Sequence, residues 1–204
     1  MTKIKLCGLR QLCDIEYSNE LLPDYIGFVF AKESKRYTSP EEAYTLRKHL
    51  NSAISPVGVF KNSDIKVILE LVNAGTIDII QLHGNENEEY IGQLRSLTDA
   101  TIMKAFQIKS ITDINKANEC TSDYVLLDSG GGSGETFDHS LICDMKRDFF
   151  LAGGMSVGNI SAIINKFRPY AVDVSSAIEN ISGNKDKEKM AEFVSAVRKA
   201  DKHD

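Results

Sequence analysis

A cysteine and an aspartate each close an apolar run in this 204-residue chain, Ile4-Lys5-Leu6-Cys7 and Tyr124-Val125-Leu126-Leu127-Asp128. A thiol so placed can serve as base or nucleophile when its pKa falls toward neutrality, and a carboxyl can serve as acid when its pKa rises. Both also have plain structural uses. Most free cysteines are small buried hydrophobes, and an aspartate after a strand commonly caps a loop or a helix.

Two further segments suit an anion. Gly153-Gly154 lets backbone N–H groups approach a phosphate without obstruction by Cβ, and Ser175-Ser176 offers hydroxyl and amide donors. A short helix starting after Ser176 would add partial positive charge. Lys and Arg are scarce around both segments, so backbone dipoles are expected to carry the binding. Arg36, in Ser34-Lys35-Arg36-Tyr37, could hold a carboxylate by two parallel hydrogen bonds or stand as a solvated surface charge. His83, in Gln81-Leu82-His83-Gly84, could shuttle protons, but a metal would need ligands on neighbouring strand ends. Those ends are Phe30 and Phe60, so no metal is expected. Lys104 reads as a lysine lining a barrel interior rather than a Schiff-base lysine, and Cys13, Cys120 and Cys143 read as packing residues.

The elements that must position these residues alternate along the chain. Short runs rich in β-branched and aromatic residues occupy 4–8, 25–30, 57–60, 77–83, 102–106, 124–128, 149–153 and 171–175. Their near-continuous apolarity is that of parallel strands covered on both faces. Between them Ile65, Ile68, Leu69 and Val72 follow helical spacing, as do Ile160, Ile163, Ile164 and Phe167, and Met190, Phe193, Val194 and Val197. Weaker stripes run through Ala43, Leu46 and Leu50 and through Tyr90, Leu94 and Leu97. Ser39-Pro40-Glu41-Glu42 is a helix start. A short helix is expected around Leu12 and Ile15, and a stunted one within 138–146.

The strand ends recur every 22–30 residues. Eight such βα units predict a single, minimal-length (β/α)₈ barrel domain over residues 1–204, in preference to an open doubly wound sheet, which usually stops at five or six strands. In that architecture active sites sit at the C-terminal rim, with phosphate held after the seventh and eighth strands. Cys7, Arg36, His83, Asp128, Gly153, Gly154, Ser175 and Ser176 all fall there. The glycine-rich stretch Ser129-Gly130-Gly131-Gly132-Ser133-Gly134 reads as a loop over the site rather than an interdomain linker.

Composition narrows the class further. At 42% hydrophobic, 26% charged and a net charge of −5, the chain is an ordinary soluble globule without the basic stripe that nucleic acid requires. No apolar stretch reaches membrane-spanning length, and the N-terminus lacks the apolar segment of a secretory signal. A cytoplasmic protein with reduced thiols is expected, binding neither nucleic acid nor membrane, as a monomer or homodimer.

Taken together, the rim residues resemble the phosphoribosylanthranilate isomerases of tryptophan biosynthesis over essentially the whole chain. The matching stretches are Lys5-Leu6-Cys7-Gly8-Leu9, Gly27-Phe28-Val29-Phe30 with Ser34-Lys35-Arg36, Val57-Gly58-Val59-Phe60, and Gln81-Leu82-His83-Gly84. Leu126-Leu127-Asp128, Gly131-Gly132-Ser133-Gly134-Glu135-Thr136-Phe137-Asp138, Leu151-Ala152-Gly153-Gly154 and Val172-Asp173-Val174-Ser175-Ser176 follow. The resemblance implies a cofactor-free Amadori rearrangement of a small phosphorylated substrate. It implies Asp128 as general acid, Cys7 as general base, Arg36 as the holder of a carboxylate, and the loops bearing Gly153, Gly154, Ser175 and Ser176 as the phosphate site. A related histidine-pathway isomerase resembles a longer chain with two similar halves and an aspartate base on the first strand, where this chain has Cys7. Departures from the family pattern are Arg10, Asn85, His139 and Ala177; a left-handed backbone at Ala177 would strain the phosphate loop.

Overall fold

The computed structural model describes residues 1–128 and 139–202. Eight parallel strands close on themselves in sequence order: β1 (Lys3–Cys7), β2 (Tyr25–Val29), β3 (Ser55–Phe60), β4 (Ile79–Leu82), β5 (Thr101–Gln107), β6 (Tyr124–Asp128), β7 (Phe149–Ala152) and β8 (Ala171–Val174). Every run expected to be a strand is one, with ends displaced by two residues at most. The glycine-rich stretch and the motif after it, 129–138, lie outside the described residues.

Around the ring lie α1 (Leu12–Leu21), α2 (Pro40–Arg47), α3 (Ile65–Asn73), α4 (Glu88–Arg95), α5 (Ile111–Glu119), α6 (Ile160–Phe167) and α7 (Lys187–Ala200). Ser39 caps α2 as its sequence predicts: its side chain accepts from the Glu42 N–H, the Glu42 carboxylate accepts from the Ser39 N–H, and Pro40 takes the first turn. Two helices correct the sequence reading. α1 is ten residues long rather than short, opened by Asp14, whose carboxylate accepts from the Arg10 and Gln11 N–H groups. α5 carries no long apolar stripe and shows itself through Ser110 and Asp113 at its start and the buried Ile114 and Ala117. Within 138–146 the chain forms a 3₁₀ helix, His139–Asp144, which fits the expected stunted element.

Alternation along the strands separates two apolar layers. Ile4, Leu6, Ile26, Phe28, Ile80, Leu82, Ile102, Val125, Leu127 and Val172 pack outward against the helices. Tyr25, Val57, Ile79, Met103, Leu126, Phe150 and Ala171 fill the inside. The N-terminal mouth is plugged by aromatic rings: Phe150 lies 5.3–5.6 Å from Tyr25, Tyr124 and Tyr170. The other mouth stays open. No helix among the described residues is long and apolar enough to cross a membrane.

Candidate active site

At the C-terminal mouth a cavity of about 830 Å³ is lined by Cys7, Arg36, His83, Asp128, Gly153, Gly154, Ser175 and Ser176 together. Residues up to 169 positions apart in the chain thus share one concave surface, because each ends or follows a strand of the same ring.

Cys7 sits at the last position of β1, pointing inward beside Gly27 of β2, its register partner. A Cβ at Gly27 would fall 2.7 Å from Cys7 Sγ, so the missing side chain makes room for the thiol. The Cys7 thiol stands above its ordinary pKa on balance: burial pushes it up most, the Lys5 ammonium draws it part of the way back, and Asp173 pushes it up again. Lys5 and Asp173 are register partners on β1 and β8 and lie one inward position below the thiol. The Lys5 Nζ donates to both Asp173 oxygens at 3.0 Å, wholly buried.

Asp128 closes β6 on the facing wall. Its Oδ2 lies 3.3 Å from His83 Nε2, and His83 Nδ1 lies 3.2 Å from the Gln81 amide nitrogen. Gln81, His83 and Asp128 therefore form one polar chain across the mouth. The Gln81 Oε1 is buried without a hydrogen-bond partner among the described residues. Among those residues, no three His, Cys, Asp or Glu side chains converge to hold a metal ion.

Arg36 holds a carboxylate by two parallel bonds, and that carboxylate is the chain's own Glu179, with Nε to Oε1 at 2.6 Å and Nη2 to Oε2 at 2.9 Å. Burial would raise the Glu179 carboxyl, but Arg36 and Lys185 outweigh it and hold it below the usual range. The Lys185 ammonium, itself buried, reaches Glu179 Oε1 at 2.8 Å and the Ser175 carbonyl at 2.9 Å. Lys and Arg are scarce around these segments in sequence, but the fold brings one back: Lys185 lies ten residues beyond Ser175 and folds beneath it. Burial lowers its pKa against the pull of Glu179.

The loop geometry suits an anion in other respects. Gly153 and Gly154 have φ of 84° and 64°, a backbone that other residues adopt at a cost. The Ser175 hydroxyl donates to the Cys7 carbonyl at 3.0 Å, tying the two strand ends together. The helix expected after Ser176 is only a three-residue 3₁₀ turn, Ser176–Ile178, with little dipole to offer. Ala177 lies within that turn and has no positive φ, so it carries no strain.

Lys104 does not line the interior. Its neighbours Met103 and Ala105 face inward, so alternation sends it outward, where its Nζ donates to the Gly84 carbonyl at 2.8 Å and Glu86 Oε2 at 3.0 Å. Cys13 is half-buried and Cys120 is in the core, but Cys143 is exposed, contrary to its reading as a packing residue.

A family model described as N-(5'phosphoribosyl)anthranilate (PRA) isomerase matches residues 4–196. The chain belongs to that family. It is 42% identical over 205 residues to the N-(5'-phosphoribosyl)anthranilate isomerase of Caldanaerobacter subterraneus subsp. tengcongensis, covering 97% of this chain and 98% of the relative. The phosphoribosyl anthranilate isomerase of Thermotoga maritima has a similar structure, with a TM-score of 0.90 and 35% identity over 98% of this chain and 100% of that one. A phosphoribosyl anthranilate isomerase in complex with reduced 1-(o-carboxyphenylamino)-1-deoxyribulose 5-phosphate superposes with a TM-score of 0.87 at 34% identity, again over 98% and 100% of the two chains. Arg10, read in the sequence as a departure from the family pattern, points away from the mouth. The Arg10 guanidinium donates to Asn184 Oδ1 at 2.8 Å and braces the segment after β8 from outside.

Proposed function

We propose that this isomerase converts N-(5-phosphoribosyl)anthranilate to 1-(2-carboxyphenylamino)-1-deoxyribulose 5-phosphate with Asp128 as general acid and Cys7 as general base. The observation that carries the assignment is the shared cavity: a thiol and a carboxyl on β1 and β6, with a guanidinium and an anion loop also on its wall. The substrate has matching parts, a reacting sugar between a carboxylate and a phosphate. Arg36 takes the carboxylate, exchanging Glu179 for it, and the backbone around Gly153, Gly154, Ser175 and Ser176 takes the phosphate with Lys185 behind it. Fixing both ends places the sugar between the two proton-transfer groups.

Asp128 gives its proton to the ribose ring oxygen as the C1–O bond breaks, leaving an iminium at C1. The iminium acidifies the C2 hydrogen, so a modest base suffices. The Cys7 thiolate takes that proton, the C2–H electrons form the C1–C2 double bond, and the iminium nitrogen is neutralised. The resulting enolamine tautomerises to the ketone. His83, 3.3 Å from Asp128, is placed to orient the carboxyl and return its proton.

Turnover is followed by the loss of phosphoribosylanthranilate fluorescence without added metal, with the histidine-pathway substrate run in parallel. Cys7→Ala and Asp128→Asn should each lower kcat by at least about a hundredfold, while a reduced product analogue still binds. A kcat near that of the unaltered enzyme in either variant rejects the role of that residue.

A further inference from the structure

Beneath the thiol lies a buried ion pair to which the acid–base scheme gives no part. Lys5 and Cys7 alternate on β1, so both point into the ring, one level apart. Asp173 faces Lys5 across the β1–β8 ladder and also lines the cavity. A Cβ placed at Gly27 would lie 2.7 Å from Cys7 Sγ and 3.3 Å from Lys5 Nζ, so one bare position on β2 adjoins both groups. Lys5 is fully buried; its ammonium donates to both Asp173 oxygens at 3.0 Å and also interacts with the Cys7 sulfur. An ammonium with three donors and one carboxylate partner has a donor left for a neighbour.

Such a pair makes a poor staple. Burying two charges in a ring interior is seldom a net gain over apolar residues of similar size. Its placement, one inward level below a thiol that must lose its proton, gives it another use.

We propose that Lys5 is a positioning residue for the base: its ammonium, clamped by Asp173 at the floor of the cavity, is the counter-ion that offsets burial at the sulfur and lets Cys7 give up its proton to act as a thiolate. The proposal rests on Cys7 being the base. Lys5 shares its charge between the carboxylate and the sulfur, and Asp173 sets how much reaches the sulfur. When the thiolate takes the C2 proton, an S–H bond forms as the C2–H bond breaks, and the ammonium returns to Asp173. The other charged groups facing the thiol are Lys185, from the segment after β8, and Arg36, from the loop after β2, with His83 and Asp128 across the mouth. The adjoining residues of β2 and β3, Gly27, Val29 and Val59, are uncharged.

The test measures thiolate formation directly: the rate of iodoacetamide alkylation of Cys7 against pH, resolved from the other three cysteines by mass spectrometry of the Cys7 peptide. Lys5→Met leaves the thiol facing an unpaired carboxylate, and the alkylation midpoint should move to higher pH. Asp173→Asn frees the ammonium for the sulfur, and the midpoint should move lower. Each shift should change the alkylation rate about tenfold at a fixed pH below the midpoint. Loss of packing alone would move both variants the same way. Should Lys5→Met fail to fold, the double variant Lys5→Met/Asp173→Asn leaves no buried charge unpaired. Its midpoint should lie above that of the unaltered protein, with Asp173→Asn below. Any other order, or no movement, overturns the proposal. Alkylation needs no turnover, so failure here leaves the Cys7→Ala result to judge the base, and an active Cys7→Ala would remove the base while leaving the Lys5–thiolate relation standing.

Discussion

The strand ring buries a lysine–carboxylate pair on each of its faces, and the two are built differently. On the outer face, Glu86 accepts from the Asn62 N–H at 2.6 Å, the Gly84 N–H at 2.8 Å and the Lys104 ammonium at 3.0 Å. That carboxylate is saturated, and it stitches the loops after β3 and β4 together. Burial would raise the Glu86 carboxyl, but the Asn62 and Lys104 hydrogen bonds outweigh it and hold it below the usual range. On the inner face, the donor to Asp173 among the described residues is Lys5, which reaches both oxygens at 3.0 Å, and burial pushes the carboxyl up. A saturated pair fixes structure. An unsaturated one at the floor of a cavity is left responsive to whatever sits above it.

The largest expected effect breaks the outer pair. Glu86→Ala leaves the Lys104 ammonium buried without its carboxylate and should cost about 3–5 kcal/mol of folding stability, read from urea unfolding midpoints at constant m-value. A loss below ~1 kcal/mol would mean that the ammonium reaches water or finds other carbonyls, and the contrast between the faces would collapse.

Two glycines on adjacent strands carry the same contrast to a smaller scale. Gly27 of β2 faces inward and Gly58 of β3 outward, where an added Cβ would fall 2.7 Å from Ile77 Cδ1 and 2.8 Å from Phe60 Cε2. Gly27→Ala should crowd the thiol and the Cys7 backbone beside it and, whatever it costs in stability, lower kcat roughly a hundredfold. Gly58→Ala should overpack the layer under the helices, costing about 1–3 kcal/mol with kcat retained. Denaturation and turnover measured on both proteins should show kcat lost in the first and retained in the second, and a Gly27→Ala enzyme of normal kcat would show that the sulfur has room to spare.

These contrasts also explain what the sequence let one read. All eight strands and the rim positions of Cys7, Asp128, Gly153 and Ser175 were legible, because apolar runs and their spacing are local signals. Near-continuous apolarity, however, conceals which residues point inward. Lys104 reads as a lumen lysine in sequence, yet Met103 and Ala105 take the inward positions, and no local signal marks Lys5 as a polar partner of Cys7 although strand alternation places them on one face. Asp173 is 168 residues from Lys5, and only the β1–β8 register pairs them. Lys185 and Glu179 were illegible for another reason. They lie after β8, outside any periodic pattern, and reach the site through tertiary folding of an irregular segment.

The smallest effect is in acid. Because the folded Glu86 carboxyl is held below its unfolded value of about 4.3, its contribution to stability is fully present above that pH and is lost as pH falls through the folded value. Glu86→Gln keeps the shape but removes the titration. The stability difference between the unaltered protein and Glu86→Gln should therefore be constant near neutrality and shrink steadily below about pH 4.3, in unfolding curves taken at successive pH values. Asp173→Asn should show no such shrinkage over that range, since burial has moved the Asp173 carboxyl the other way. Parallel acid profiles for the two variants would mean that both carboxylates are held alike, and that the ring's two faces differ in position only.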